Sequence, residues 1–156
     1  VFNNFVFGET GGQSGPTTPP GSITTTTPYG AIERPFDICN LAIGAGATYV
    51  ARVTVAHAWM FNKIIAKAIA HKGFSVIEVL QNCHELWGRR NDKPEATDML
   101  SWYLKDSITV AEAQKLTPED LQGKFVIGEL HSEDQPELTQ LYADLTRRVQ
   151  AVPEKV

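Results

Sequence analysis

Asn3 and Asn4 stand side by side near the start of this 156-residue chain, and Phe5-Val6-Phe7-Gly8-Glu9-Thr10-Gly11-Gly12-Gln13 follows at once. Carboxamide oxygens are neutral, hard ligands. They suit a cation such as Mg²⁺, which takes oxygen donors in an octahedral shell and commonly shares them with a diphosphate. A Thr-Gly-Gly run adds a hydroxyl and backbone N–H groups that can approach phosphate oxygens closely. Turn formers that merely close a loop have the same composition, so the pattern by itself leaves both readings open. Cys83, in Gln81-Asn82-Cys83-His84, is the second group able to do chemistry. A single thiol is either a small packed hydrophobe or a metal ligand, and a four-iron cluster needs four thiolates where this chain has two. The other cysteine, Cys39, falls in the apolar stripe of an expected helix and reads as core.

The remaining candidates are weaker. His57, His71, His84 and His131 are scattered without an HxxxH pair, which argues against a zinc site. His84 adjoins Cys83 and reads as a solvated loop residue. Arg89 and Arg90 read as a charged loop, the alternative being attraction of an acidic partner or of phosphates. Trp59, Trp87 and Trp102 read as packing or subunit contacts. No Ser-His-Asp or Walker-type constellation is present.

These residues need elements to position them. Val1 to Phe7 is an apolar, β-prone run and reads as a strand. Its position at residue 1 points to a sequence that begins inside a folded domain, with a short N-terminal edge strand as the alternative. The first thirty residues hold 17 Gly, Pro or Thr and one charged residue, Glu9. A flexible linker would look similar, but an aromatic strand leads straight into this stretch, so residues 8 to 35 read as a long functional loop over a site. Pro35 to Gly46 reads as a helix, with Phe36, Cys39, Ala42 and Ile43 as its stripe. Thr48 to Val53 reads as a strand. Trp59 to His71 reads as an amphipathic helix with Ile64, Ile65, Ala68 and Ile69 inward, stopped by Gly73. Phe74 to Leu80 is the strongest strand signal. Strand, helix and strand at this spacing predict parallel crossovers, hence an α/β fold with a mostly parallel sheet flanked by helices. In such sheets ligands gather beyond the carboxyl ends of the strands, where Asn4 to Thr10 and Cys83 would both lie.

From Glu85 onward there are 14 acidic and nine basic residues. Leu100 to Lys105 and Val110 to Leu116 read as short helices, and Thr117 to Asp120 as the start of another helical turn with Pro118 in first position. Phe125 to Leu130 reads as a strand. Pro136 to Gln150 reads as a terminal helix with Leu138, Leu141, Leu145 and Val149 on one stripe. The organisation expected is therefore 1–84 as one unit and 85–156 as an extension packed on it.

Composition narrows the function classes. Apolar residues at 42% and charged residues at 21% describe an ordinary globular chain. No run approaches the ~20 apolar residues of a membrane span, and no secretory leader is seen. A formal charge of −4 gives no electrostatic case for nucleic acid. Two cysteines do not make a disulfide framework, and a reducing cytoplasm is the simpler expectation.

The segment Asn3 to Gln13 resembles the second half of the thiamine-diphosphate motif in 2-oxoacid:ferredoxin oxidoreductase β subunits. The resemblance continues through Pro16-Thr17-Thr18-Pro19, Thr26-Thr27-Pro28-Tyr29-Gly30, Gly46 to Arg52, His71-Lys72-Gly73-Phe74, the Cys83 segment and Ile127-Gly128-Glu129. It is nearest to the 2-oxoglutarate type. It implies a thiamine-diphosphate-binding fold in which Asn4 gives Mg²⁺ a side-chain ligand and Val6 a backbone carbonyl. Gly8 and Thr10 would lie against the cofactor, Thr10 near its diphosphate. Glu9 stands where relatives often carry another residue type; it is a candidate substrate-facing carboxylate, against which an anionic 2-oxoacid would be repelled. Cys83 would donate the last ligand to a [4Fe-4S] cluster whose other ligands lie upstream. The implied reaction is oxidative decarboxylation of a 2-oxoacid, with electrons passed singly to the cluster and on to ferredoxin, and the acyl group to coenzyme A. The implied partner is an α subunit.

The Gly-Asp-Gly half of the cofactor motif and the upstream cysteines of that family do not occur in these residues. The chain is therefore expected to correspond to the C-terminal half of the β subunit and to be inactive by itself. Pyruvate, branched-chain or aryl 2-oxoacid enzymes of the same family are the alternative, and a non-catalytic assembly domain retaining the fold is a further one.

Overall fold

In a computed structural model, residues 1–151 are described; the last five residues of the expected C-terminal extension lie outside them. The frame is a five-stranded sheet in the order β1-β5-β4-β7-β6. Its strands are β1 (Phe2–Asn3), β4 (Tyr49–Thr54), β5 (Ser75–Leu80), β6 (Ser107–Thr109) and β7 (Phe125–Ser132). β1 and β4 flank β5 in parallel, β7 runs antiparallel to β4, and β6 pairs with β7 in parallel. The sheet is mostly parallel, as expected. β4 and β5 enclose α2 (Ala58–Ala70) as a strand–helix–strand unit.

Alternation along β4 decides what each face meets. Tyr49, Ala51 and Val53 pack with Ile64 of α2 and Val79 of β5. Val50 turns the other way, against Cys39 and Ala47 around α1 (Ile38–Gly44). All of these are buried, as they must be in strands covered on both sides. The inward stripe expected for α2 holds for Ile64, but Ile69 is 79% exposed. Ile64 is the helix's one buried residue, with Met60, Phe61 and Ala68 packed half-buried beside it.

A second core joins the start of the chain to its later half. Phe5, Val6 and Leu80 cluster with Trp87, Met99 and Tyr103, the last two on α3 (Ala96–Asp106). Trp87 and Trp102 stack with centroids 5.1 Å apart, and Phe5 lies 5.4 Å from Trp87. Such aromatic contacts add to what burial alone provides.

Several elements differ from the sequence reading. The first seven residues are not one strand. β1 ends at Asn3, and β2 (Val6–Phe7) leaves the main sheet to pair antiparallel with β3 (Gln13–Ser14). The break falls at Phe5, whose φ of 69° is left-handed. Thr117 to Asp120 makes hydrogen-bonded turns that do not continue into a helix, although the Thr117 hydroxyl and the Asp120 carboxylate bind one another and each other's backbone as at a helix start; Gly123, at φ 75°, follows. The helix expected over 110–116 is the short α4 (Val110–Ala113). The terminal helix forms as α5 (Leu138–Gln150), but its stripe of Leu138, Leu141, Leu145 and Val149 is exposed.

The Thr-rich stretch is an ordered loop tied down by hydroxyls. Thr18 Oγ1 donates to the Phe5 carbonyl and accepts from Gly15 N–H. Thr26 Oγ1 accepts from Ser14 N–H, and Thr24 and Thr27 pair at 2.7 Å. Asn91, beyond the sheet, receives Ile23 N–H at 2.9 Å and donates back to the Ile23 carbonyl.

Candidate active site

At the carboxyl ends of β1 and β5, which stop together at Asn3 and Leu80, the chain opens a recess of about 340 Å³. It is lined by Asn4, Val6, Phe7, Gly8, Glu9, Thr10 and Gln81. Five of the residues singled out in the sequence thus share one recess. Asn4 sits just past β1, Val6 is in β2, and Gly8 to Thr10 form the turn between β2 and β3. That turn closes through Gly12 N–H to the Phe7 carbonyl at 2.9 Å. Gly12, at φ 82°, supplies a backbone that other residues take up only with strain.

Asn3 and Asn4 part company here. Asn3 is buried and fully engaged: Nδ2 donates to Glu78 Oε1 at 2.7 Å, while Oδ1 accepts from Phe5 N–H and Thr17 Oγ1. Asn4 is half-buried in the recess wall, and its amide has no hydrogen-bond partner among the described residues. Thr10 Oγ1 donates to Gln13 Oε1 at 2.8 Å, and Gln13 Nε2 donates to the Thr10 carbonyl. This exchange braces the rim. Glu9 is exposed on the same rim.

Cys83 belongs to the same neighbourhood. A Cβ built on Gly8 would lie 3.7 Å from Cys83 Sγ and 3.1 Å from Asn4 Nδ2. The thiol and the amide thus both border Gly8, the one lining residue of the recess without a side chain. Cys83 is half-buried. Among the described residues no three His, Cys, Asp or Glu side chains gather as a metal-binding group. Cys39 is core, as read: it is 1% exposed, and burial pushes its thiol up to about 12.

One part of the site was not anticipated. Glu78, 2% exposed, takes the Arg52 Nε–H at 2.6 Å and the Cys39 thiol at 3.4 Å, besides Asn3. Arg52 also donates to Asp37, the N-cap of α1. The available signal was a charged residue inside each of two otherwise apolar parallel strands, Arg52 in β4 and Glu78 in β5. Such charges need partners when both faces are covered. Nearby, the Tyr103 hydroxyl donates to the Gln81 carbonyl at 2.9 Å, and burial raises its pKa.

An amide without a partner among the described residues and a glycine turn line one recess; groups of these types are able to serve a hard cation and an anionic group. Comparison with known proteins bears on that chemistry. The 2-oxoglutarate synthase subunit KorB of Methanocaldococcus jannaschii is 44% identical over 138 residues, which is 88% of this chain and 51% of that protein. KorB of Archaeoglobus fulgidus is 55% identical over 83 residues, 53% of this chain and 31% of that one. The chain thus spans about half the length, or less, of these curated relatives. Among solved structures, a 2-oxoglutarate:ferredoxin oxidoreductase from Magnetococcus marinus, with 2-oxoglutarate, coenzyme A and succinyl-CoA bound, superposes with a TM-score of 0.74. It is 25% identical and covers 98% of this chain and 53% of its own. Residues 1–79, which carry every lining residue of the recess but Gln81, match the thiamine pyrophosphate enzyme C-terminal TPP-binding domain, and the chain belongs to that family.

Proposed function

We propose that this chain is the C-terminal, cofactor-binding part of the β subunit of a 2-oxoacid:ferredoxin oxidoreductase of the 2-oxoglutarate type. The observation that carries the reading is the single recess lined by Asn4, Val6, Gly8, Glu9 and Thr10 with the Cys83 thiol beside it. The relatives' names supply the substrate class: 2-oxoglutarate in the KorB proteins and in the solved neighbour.

The residues present fit their share of a Mg²⁺–thiamine diphosphate site. Asn4 offers an amide oxygen that no described residue occupies, and Gly8 leaves room that any side chain would take from Asn4 and Cys83. Asn4 Oδ1 and the Val6 carbonyl would hold the cation; Gly8 and Thr10 would lie along the diphosphate. An octahedral shell needs more donors than these two, and the remainder belong to the diphosphate, water and the part of the subunit upstream of these residues. When bound, thiamine diphosphate supplies the electron sink for decarboxylation of a 2-oxoacid. The exposed Glu9 carboxylate would face substrate at the rim. Cys83 would give one thiolate to a [4Fe-4S] cluster, a group that, when bound, would supply one-electron transfer toward ferredoxin. Coenzyme A takes the acyl group.

Residues 1–84 and 85–156 act in this reading as a cofactor-binding unit and an extension packed on it, and an α subunit completes the enzyme in the cytoplasm. Among the described residues no helix is long and apolar enough to cross a membrane.

The test is the complete β subunit assembled with its α subunit and offered 2-oxoglutarate, pyruvate, a branched-chain and an aryl 2-oxoacid in turn. Coenzyme A-dependent ferredoxin reduction fastest with 2-oxoglutarate is the result expected. No reduction with any of them, in protein that holds cofactor and iron, would overturn the reading.

A further inference from the structure

The left-handed Phe5 separates the two residues assigned above to the cation. Left-handed backbone is uncommon for a bulky residue and persists only where the surroundings over-determine it. Here they do. Phe5 N–H donates to Asn3 Oδ1 at 3.1 Å, and the Phe5 carbonyl accepts from Thr18 Oγ1. The ring is 4% exposed and wedged among Trp87, Trp102 and Phe125.

The turn has a definite effect on its neighbours. Asn3 pairs with Leu80 in the main sheet, whereas Val6 pairs with Ser14 in the separate β2–β3 hairpin. The chain changes sheets at Phe5, and Asn4 and Val6 end on the wall of one recess. Asn3 does not line that recess. It is nevertheless held on every polar atom. Thr17 Oγ1 donates to its Oδ1 at 2.7 Å, and its Nδ2 donates to Glu78 Oε1 at 2.7 Å. Glu78 Oε2 is in turn held by Arg52 Nε at 2.6 Å. The acceptor side of Asn3 thus faces two donors and its donor side a carboxylate, which fixes the amide in one orientation.

We propose that Asn3 is a positioning residue for the cation site: anchored by Glu78 and Thr17, it holds the turn at Phe5 that aims Asn4 and the Val6 carbonyl at one ion. The proposal rests on the cation reading given above. Outer partners that orient metal ligands commonly change metal affinity by about 10–100-fold when removed.

The test measures Mg²⁺ and Ca²⁺ affinity of the complete subunit at saturating thiamine diphosphate, by calorimetry, in Asn3→Ala, Thr17→Val and Asn4→Ala. Mg²⁺ demands near-ideal octahedral geometry, whereas Ca²⁺ tolerates irregular shells. A misaimed pair of ligands therefore penalises Mg²⁺ selectively, and general loss of stability does not. Asn3→Ala should weaken Mg²⁺ about tenfold and Ca²⁺ much less, with Thr17→Val moving the ratio in the same direction. Asn4→Ala should weaken both ions. An unchanged Mg²⁺/Ca²⁺ ratio in Thr17→Val and Asn3→Ala, with both ions weakened in Asn4→Ala, overturns the positioning role and leaves the cation reading standing. Unchanged affinity for both ions in Asn4→Ala overturns the cation reading itself. If Asn3→Ala does not fold, Thr17→Val decides, because it leaves the Asn3–Glu78 bond in place.

Discussion

Arg52 and Glu78 stand directly opposite each other on the paired parallel strands β4 and β5, and Arg52 Nε meets Glu78 Oε2 at 2.6 Å. Their side chains are 15% and 3% exposed. Truncating one partner of a buried pair costs more than the pair contributes, because the other charge is left behind without compensation. Arg52→Met should therefore destabilise the fold by about 3–5 kcal/mol in urea unfolding. Glu78→Gln should cost less, since Arg52 keeps Asp37 at 2.8 Å. The double variant Arg52→Met/Glu78→Gln should cost less than the sum of the two single losses.

Gly8 tests the recess without touching a polar group. Its own φ is not in the left-handed region, so Gly8→Ala brings no backbone strain. The added methyl would lie 3.1 Å from Asn4 Nδ2 and must push that amide aside. Gly8→Ala in the complete subunit should weaken binding of Mg²⁺–thiamine diphosphate about tenfold, with a melting temperature close to wild type. Equilibrium binding and a thermal melt on the same sample check both halves.

The two thiols should behave as opposites. Burial holds Cys39 up at about 12, so almost no thiolate forms near pH 8. In cluster-free protein, iodoacetamide should label Cys83 and spare Cys39 until urea unfolds the chain. In cluster-loaded subunit Cys83 should be protected too, and Cys83→Ser should lose the cluster spectrum while retaining thiamine diphosphate. Peptide mass mapping and visible absorption read these outcomes.

His57 gives the acid side of the stability profile. Burial lowers its pKa below the ordinary histidine value, and its Nδ1 is 2.8 Å from Thr54 Oγ1. With a lowered folded pKa, the unfolded chain takes up the proton first. Stability is then full above the ordinary histidine pKa of about 6.5 and falls as pH drops through it toward the lower folded value. His57→Gln should flatten the slope of unfolding free energy between pH 7 and 5, even if its absolute stability is lower. Urea titrations at several pH values provide the check.

What the sequence discloses follows periodicity. Ile64 and Ala68 at helical spacing, and Phe74 to Leu80 at strand spacing, place α2 and β5 to within a residue or two, because burial on the sheet imposes those periods. The nearness of Asn4, Gly8 and Thr10 was legible from their closeness in sequence, although the turn that carries Gly8 to Thr10 belongs to the separate β2–β3 hairpin and not to the main sheet. The break at Phe5 was not. Phe and Val both favour strands locally, and the left-handed turn exists because Asn3, two residues back, holds it together with Thr18 and three aromatic rings from more distant parts of the chain. For the same reason nothing local distinguished Asn3 from Asn4. β6 was missed because Ser107–Thr109 is three residues long and is defined by pairing with β7, not by its own pattern.

The terminal helix has a consequence for how the molecule melts. α5 is 13 residues long, and Leu138, Leu141, Tyr142, Leu145 and Val149 all face solvent. A helix of that length without tertiary packing is marginal in water. It is held by little more than its own turns, aided by an Asp144–Arg147 pair and two arginines at its negative end. Warming should therefore unwind it gradually, as a sloping loss of helical signal ahead of the sharp transition of the sheet. Its amides should exchange with deuterium orders of magnitude sooner than those of β4. The chain would then have two thermometers: one cooperative and buried, the other nearly that of a free peptide.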